Sequence, residues 1–100
     1  MRPRVPIDRQ RLADFCRRHH IRKLALFGSV LRDDFRPDSD VDVLVEFDPG
    51  YVVGFRIVDI EEELSQLLGG RRVDLVAEKY LNPRLRARVL AEAEVQYAEG

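Results

Sequence analysis

Several things are scarce in this chain, and each scarcity excludes something. It has one cysteine, Cys16, so no internal disulfide can form and no oxidising compartment is required. It has no apolar run near the roughly 18 residues of a membrane span. The first residues, Met1-Arg2-Pro3-Arg4-Val5-Pro6, lack the apolar core of a secretory signal. The expectation is therefore a cytoplasmic protein with no membrane association. There is no excess of charge of one sign: the formal net charge is −1, so nothing overall announces a nucleic-acid partner. A local Arg patch would still suffice for RNA, because fifteen of the seventeen basic residues are Arg. No internal repeat, low-complexity segment or linker interrupts the 100 residues, which suit a single domain. The 45% hydrophobic and 35% charged fractions are those of a folded globule.

The order of elements follows from pattern and punctuation. Asp8 is an N-cap, with Ile7 and Leu12 placed as a hydrophobic staple. A helix then runs from Arg9 to His19, with Leu12, Phe15, Cys16 and His19 as its stripe. Lys23–Phe27 reads as a strand, apolar on both faces and hence central. Gly28-Ser29 ends it, and a short helix over Ser29–Asp33 is expected. Pro37-Asp38-Ser39 is turn chemistry.

Asp40–Phe47 is a second strand. Val41, Val43 and Val45 share one face, and Asp40, Asp42, Leu44 and Glu46 the other. After the Asp48-Pro49-Gly50 turn, Arg56–Leu68 is a helix with the stripe Ile57, Ile60, Leu64, Leu67 and Leu68, ended by Gly69-Gly70. Arg72–Ala77 is a third strand carrying Asp74. Asn82 caps a last helix with Pro83 at its first position. Val95–Tyr97 reads as a short edge strand or a frayed tail. The fold class is α+β, a small mixed sheet of three or four strands packed against helices.

The chemistry concentrates between residues 28 and 42. Two carboxylates one residue apart on a strand face the same way, so Asp40 and Asp42 can hold divalent metal. Mg²⁺ prefers oxygen ligands, and a pair of such ions about 3.5–4 Å apart suits phosphoryl or nucleotidyl transfer. Asp74 is the candidate third ligand: a charge inside Val73-Asp74-Leu75-Val76 is costly unless it meets a partner. The plain alternative is an ion pair with Arg71 or Arg72. Gly28 allows close backbone approach, and Ser29 offers a hydroxyl and an N–H where anions are favoured. Both suit a triphosphate tail, although Ser29 could simply cap the short helix.

Competing motifs fail on their flanks. An EF-hand loop starting at Asp38 needs Gly and Glu where Val43 and Pro49 stand. Aspartyl-nucleophile phosphatases place their Asp-x-Asp after an apolar strand, whereas here the apolar run follows it. No Gly-Lys-Ser/Thr makes a Walker loop. His19-His20 point apart on a helix and suit its end better than a metal. Cys16, on the apolar stripe, reads as a packed thiol. Tyr51 could stack on a base, but ordinary loop packing fits it better.

Gly-Ser, then ten residues, then Asp-x-Asp resembles the signature of the DNA polymerase β-like nucleotidyltransferase superfamily. Within it the chain is most similar to the minimal nucleotidyltransferases (MNT, or MntA-like antitoxins). Gly28, Ser29, Arg32, Asp34, Ser39, Asp40, Asp42 and Val45 match their longer motif. Leu31, Asp33 and Val43 depart from it at positions often holding Ala, Gly and Leu. The segment from Arg72 to Val76 resembles the family's third-carboxylate strand, and the resemblance spans about residues 20 to 97.

It implies one minimal nucleotidyltransferase domain over 1–100, with a helix at 8–20, a catalytic core at 22–77 and a C-terminal helix at 83–94. It implies Asp40, Asp42 and Asp74 as catalytic metal ligands for two Mg²⁺ ions, with Gly28 and Ser29 binding the nucleotide and ATP as substrate. It also implies a helical HEPN-domain toxin as partner, with AMP transferred to a tyrosine of that toxin. The competing expectation is a non-catalytic, nucleotide-binding antitoxin that neutralises by contact. Transfer to RNA fits the near-neutral charge less well. A homo-oligomer is compatible with the sequence.

Overall fold

The structure, a computed structural model, describes residues 7–28 and 40–99. Its elements are α1 (Arg9–Arg18), β1 (Ile21–Phe27), β2 (Val41–Phe47), α2 (Arg56–Leu67), β3 (Val73–Ala77), a 3₁₀ turn (Glu78–Tyr80), α3 (Pro83–Glu92) and β4 (Glu94–Ala98). The expected α+β class stands. The expected short helix at Ser29–Asp33 and the turn at Pro37–Ser39 lie outside the described residues.

The caps form as their chemistry requires. Asp8 accepts from the N–H groups of Gln10 and Arg11, and Asn82 from that of Arg84, with Pro83 opening α3. The ambiguous tail is a strand: β4 pairs antiparallel with β1.

The four strands lie in the order β3-β2-β1-β4. β1 and β2 are antiparallel, while β2 and β3 are parallel. Val41, Val43 and Val45 stand beside Val73, Leu75 and Ala77 on one side, and Val43 and Val45 face Leu26 and Leu24 on the other. This face meets Leu12, Phe15 and Cys16 of α1 and Ile60 and Leu64 of α2 in one buried cluster. Each such aliphatic or aromatic side chain is worth about 1.5–3 kcal/mol when fully buried. Cys16 lies within this cluster. Burial pushes its thiol up to about 12, against the opposing pull of the Arg17 charge, so it packs as a small apolar group and does not act as a nucleophile.

Both sheet edges are occupied. The outward N–H of Leu75 on β3 donates to Oε2 of Glu61 on α2 at 3.3 Å. On β4, the carbonyl of Gln96 accepts from Nη1 of Arg9 at 3.5 Å, and the Gln96 side chain donates to the carbonyl of Glu94. Such cover blunts an edge against pairing with other chains. Among the described residues, no helix is long and apolar enough to cross a membrane.

Topology fixes where α3 lies. Two antiparallel pairings make β4 parallel to β2 and β3. Both β2-α2-β3 and β3-α3-β4 are thus parallel crossovers, and they run in opposite directions along the sheet. Crossovers are right-handed, so α3 lies on the face opposite α2. On that second face Ala25 and Leu44 are buried, although neither belongs to the main cluster. Strand alternation alone would have left Leu44 with the polar residues.

The two histidines serve the helix end. His19 is the C-cap of α1, and its Nε2 lies 3.0 Å from Oε2 of Glu63 on α2. Arg18 Nη2 reaches the same oxygen at 3.0 Å. Burial raises the Glu63 carboxyl, but hydrogen bonds and charges from Arg18 and His19 outweigh it and hold the group below its ordinary 4.5. A carboxylate depressed in the folded state stabilises above its unfolded value and loses that contribution as pH falls through the folded one. At 36% exposure the pair is screened by solvent, so its worth is about 1 kcal/mol at most. Glu63→Gln is therefore expected to lower stability slightly at neutral pH. The difference from wild type should close as pH drops below 4.5, as followed by urea melts.

Candidate metal and nucleotide site

The second face carries the chemistry. β2 and β3 run in parallel register with Asp42 directly beside Asp74. Asp42 is also the antiparallel partner of Phe27, the last residue of β1. Gly28 follows, with φ +77°, and a Cβ built there would collide with Oδ2 of Asp42 and sit 3.2 Å from its Cγ. Gly28 is thus required twice: for a backbone conformation that side chains disfavour, and for the space the Asp42 carboxylate occupies. The strand pairing brings together three of the sequence candidates, Gly28, Asp42 and Asp74. Ser29 lies outside the described residues.

Asp40 has a partner of its own. Its Oδ1 is 3.9 Å from Nε of Arg72, whose own carbonyl accepts the N–H of Val41 at 2.8 Å. Arg72, offered in the sequence as an alternative ion-pair partner of Asp74, pairs instead with Asp40. Among the described residues, no three acidic, His or Cys side chains are gathered closely enough to enclose a metal ion. The pair is long and exposed, with Asp40 48% and Arg72 83% accessible, and such pairs are worth about 0–1 kcal/mol. Asp40 can therefore leave Arg72 at small cost.

The donor set fits divalent cations that prefer oxygen. It offers carboxylates from two adjacent strands, and Gly28 sets no side chain of its own against Asp42.

A cavity of about 760 Å³, lined by Phe47, Tyr51, Val53, Ile57, Leu75 and Tyr80 among others, lies elsewhere. It lies toward the far end of β2, where the lining residues Val45, Glu46 and Phe47 are about 10–17 Å from Asp42 by strand rise. Tyr51 belongs to that end. Its ring stacks on His20 with centroids 4.2 Å apart, and its hydroxyl accepts from Arg56 at 3.2 Å. Tyr51 therefore packs within the fold, far from any nucleotide on Asp42.

The mixed sheet, with two in-register aspartates beside a glycine turn, defines a nucleotidyltransferase domain. The chain belongs to that family: the nucleotidyltransferase domain model matches residues 9–95. The protein adenylyltransferase MntA of Thermococcus cleftensis is 39% identical over 77 residues, covering 75% of this chain and 74% of its own. A solved structure assigned as a minimal nucleotidyltransferase is 42% identical, with a TM-score of 0.71 over 86% of each chain. A chain from the complex of tri-AMPylated Shewanella oneidensis HEPN toxin with MNT antitoxin shares the fold at 18% identity, with a TM-score of 0.65. That match covers 90% of this chain and 69% of the other.

Proposed function

We propose that this protein is a Mg²⁺-dependent adenylyltransferase that moves AMP from ATP to a tyrosine hydroxyl of a HEPN-type toxin, and so acts as its antitoxin. The observation that carries the reading is the register of Asp42 against Asp74 beside Gly28. Like charges directly opposite on a sheet are destabilising, and a cation held between them would account for their place. The names of the similar proteins support the same reading, being protein adenylyltransferases and an antitoxin seen with an AMPylated toxin.

In this reading Asp40, Asp42 and Asp74 hold two Mg²⁺ ions, which when bound relieve the charge on pyrophosphate and on the attacking oxygen. Gly28 and Ser29 seat the β- and γ-phosphates through backbone N–H groups and the Ser29 hydroxyl. The tyrosine oxygen attacks the α-phosphorus, the bond from that phosphorus to the bridging oxygen breaks, and pyrophosphate leaves. Asp74, the carboxylate on the edge strand, takes the hydroxyl proton.

The competing reading is an antitoxin that binds nucleotide and neutralises by contact alone. The engagement of Asp40 with Arg72 favours it. Labelled ATP, Mg²⁺ and the product of the adjacent open reading frame decide between them. Label is expected on the neighbour's tyrosine with wild type and not with Asp42→Asn. Neutralisation of the toxin by an Asp40→Ala, Asp42→Ala protein would instead establish the contact reading.

A further inference from the structure

We infer that the 3₁₀ turn and the first half of α3 form the docking surface for the acceptor protein, and that the acceptor presents an acidic face to it. This inference rests on the adenylyltransferase reading and adds where the acceptor binds.

None of the ten residues of α3 is buried, whereas a helix of a globular domain usually buries one stripe. Its apolar stripe is only partly used. Val89 is half-buried, but Leu85, one turn earlier on the same stripe, is 51% exposed. Tyr80, just before the helix, is 77% exposed. Large apolar and aromatic side chains left open beside arginines have the composition of an interface core.

The charge is equally one-sided. Between Glu78 and Glu92 there are four basic residues, Lys79, Arg84, Arg86 and Arg88, against two acidic ones, in a chain whose net charge is −1. Glu78 and Glu92 are engaged by Arg86 at 3.2 Å and Arg88 at 3.5 Å. The charges of Lys79 and Arg84 are left in excess. Each adjoins an exposed apolar side chain in sequence: Arg84 precedes Leu85, and the Lys79 ammonium lies 5.1 Å from the Tyr80 ring centroid.

Complementarity then selects the occupant. A second copy docking through a two-fold contact would set this positive patch against itself. RNA-binding surfaces neutralise several phosphates, whereas only two charges are in excess here, beside exposed apolar side chains. An acidic protein surface meets both features. The position also suits an acceptor: α3 leads directly into β4, where Glu94 pairs with Leu26, two residues before Gly28, so a protein seated along α3 extends toward the site from its C-terminal end.

The test titrates the purified product of the adjacent open reading frame, by calorimetry, into wild type, Lys79→Glu/Arg84→Glu and Leu85→Asp. ATP with Mg²⁺ is titrated separately into each. Glu at position 84 sits in the first turn of α3, where the helix dipole favours it, so charge reversal there does not unfold the helix. Binding of the neighbour is expected to weaken roughly tenfold or more in both variants, to weaken with salt in wild type, and to be kept in Lys79→Arg/Arg84→Lys. ATP uptake should be equal throughout.

Undiminished binding in both variants overturns the docking surface. So does binding of single-stranded oligo(A) that charge reversal abolishes while the protein neighbour stays bound. ATP uptake without any neighbour binding removes the acceptor surface alone, whereas no ATP uptake by wild type removes the adenylyltransferase reading beneath it.

Discussion

Asp42→Asn is expected to lower AMP transfer by about 10²–10³-fold or more, the scale on which loss of one group that stabilises developing charge is felt. The same substitution should leave the melting temperature unchanged or raise it. Asn keeps the shape of the side chain and its place beside Phe27 and Asp74 but removes one of two like charges facing each other across adjacent strands. Relief of such a pair is worth about 0.2–1 kcal/mol. A residue that weakens the fold and is needed for activity is the pattern expected of a functional site.

Two measurements separate the effects. Label transfer reads the chemistry, and thermal scans with and without Mg²⁺ and ATP read the binding. Wild type should be stabilised by the ligands, since they bind only the folded state, and Asp42→Asn should respond less. If Asp42→Asn transfers label at the wild-type rate, Asp42 is not a metal ligand and the site has been misplaced.

The sequence makes the parts of this site legible but not their pairings. The alternation Val41, Val43, Val45 is a local signal, and it identified the buried face of β2 correctly. The caps at Asp8 and Asn82 are local too, and both formed. A lone acid in an apolar strand marked Asp74 as needing a partner, and the register sets it beside Asp42.

What could not be read is whatever depends on residues distant in the chain. The approach of Gly28 to Asp42 follows from the antiparallel partnership of Phe27 with Asp42 across the connecting segment. No periodicity encodes that register. The choice of Asp40 over Asp74 by Arg72 depends on β2 and β3 lying parallel, which places Arg72 beside the start of β2. The burial of Leu44 has the same kind of origin. Its alternation says polar face, yet the folded sheet buries it between Ala25 of β1 and Val76 of β3. The openness of Leu85 and Tyr80 was hidden for the converse reason, since their apolar character alone suggests burial.

Gly28→Ala is expected to cost both stability and activity, and the two losses have different origins. The backbone at φ +77° disfavours a Cβ by about 1–2 kcal/mol, and that part should appear as a lower melting temperature. The second part is local to the site. The added methyl collides with the Asp42 carboxylate, which must rotate or drag β2 away from β1. A displacement near 1 Å at a reacting centre costs on the order of 10²-fold in rate, so transfer should fall by about that factor even at temperatures where the variant is fully folded.

A double-mutant cycle tells whether the collision is the cause. If Gly28→Ala acts by moving Asp42, then adding it to Asp42→Asn should lower the already reduced rate by much less than 10²-fold, the non-additivity of two changes acting through one group. The stability cost of the left-handed backbone should still add in full, because it belongs to residue 28 alone. Full additivity in rate would mean that Gly28 serves the reaction through its own backbone contact with phosphate and independently of Asp42, which would locate the triphosphate tail without requiring the carboxylate to move.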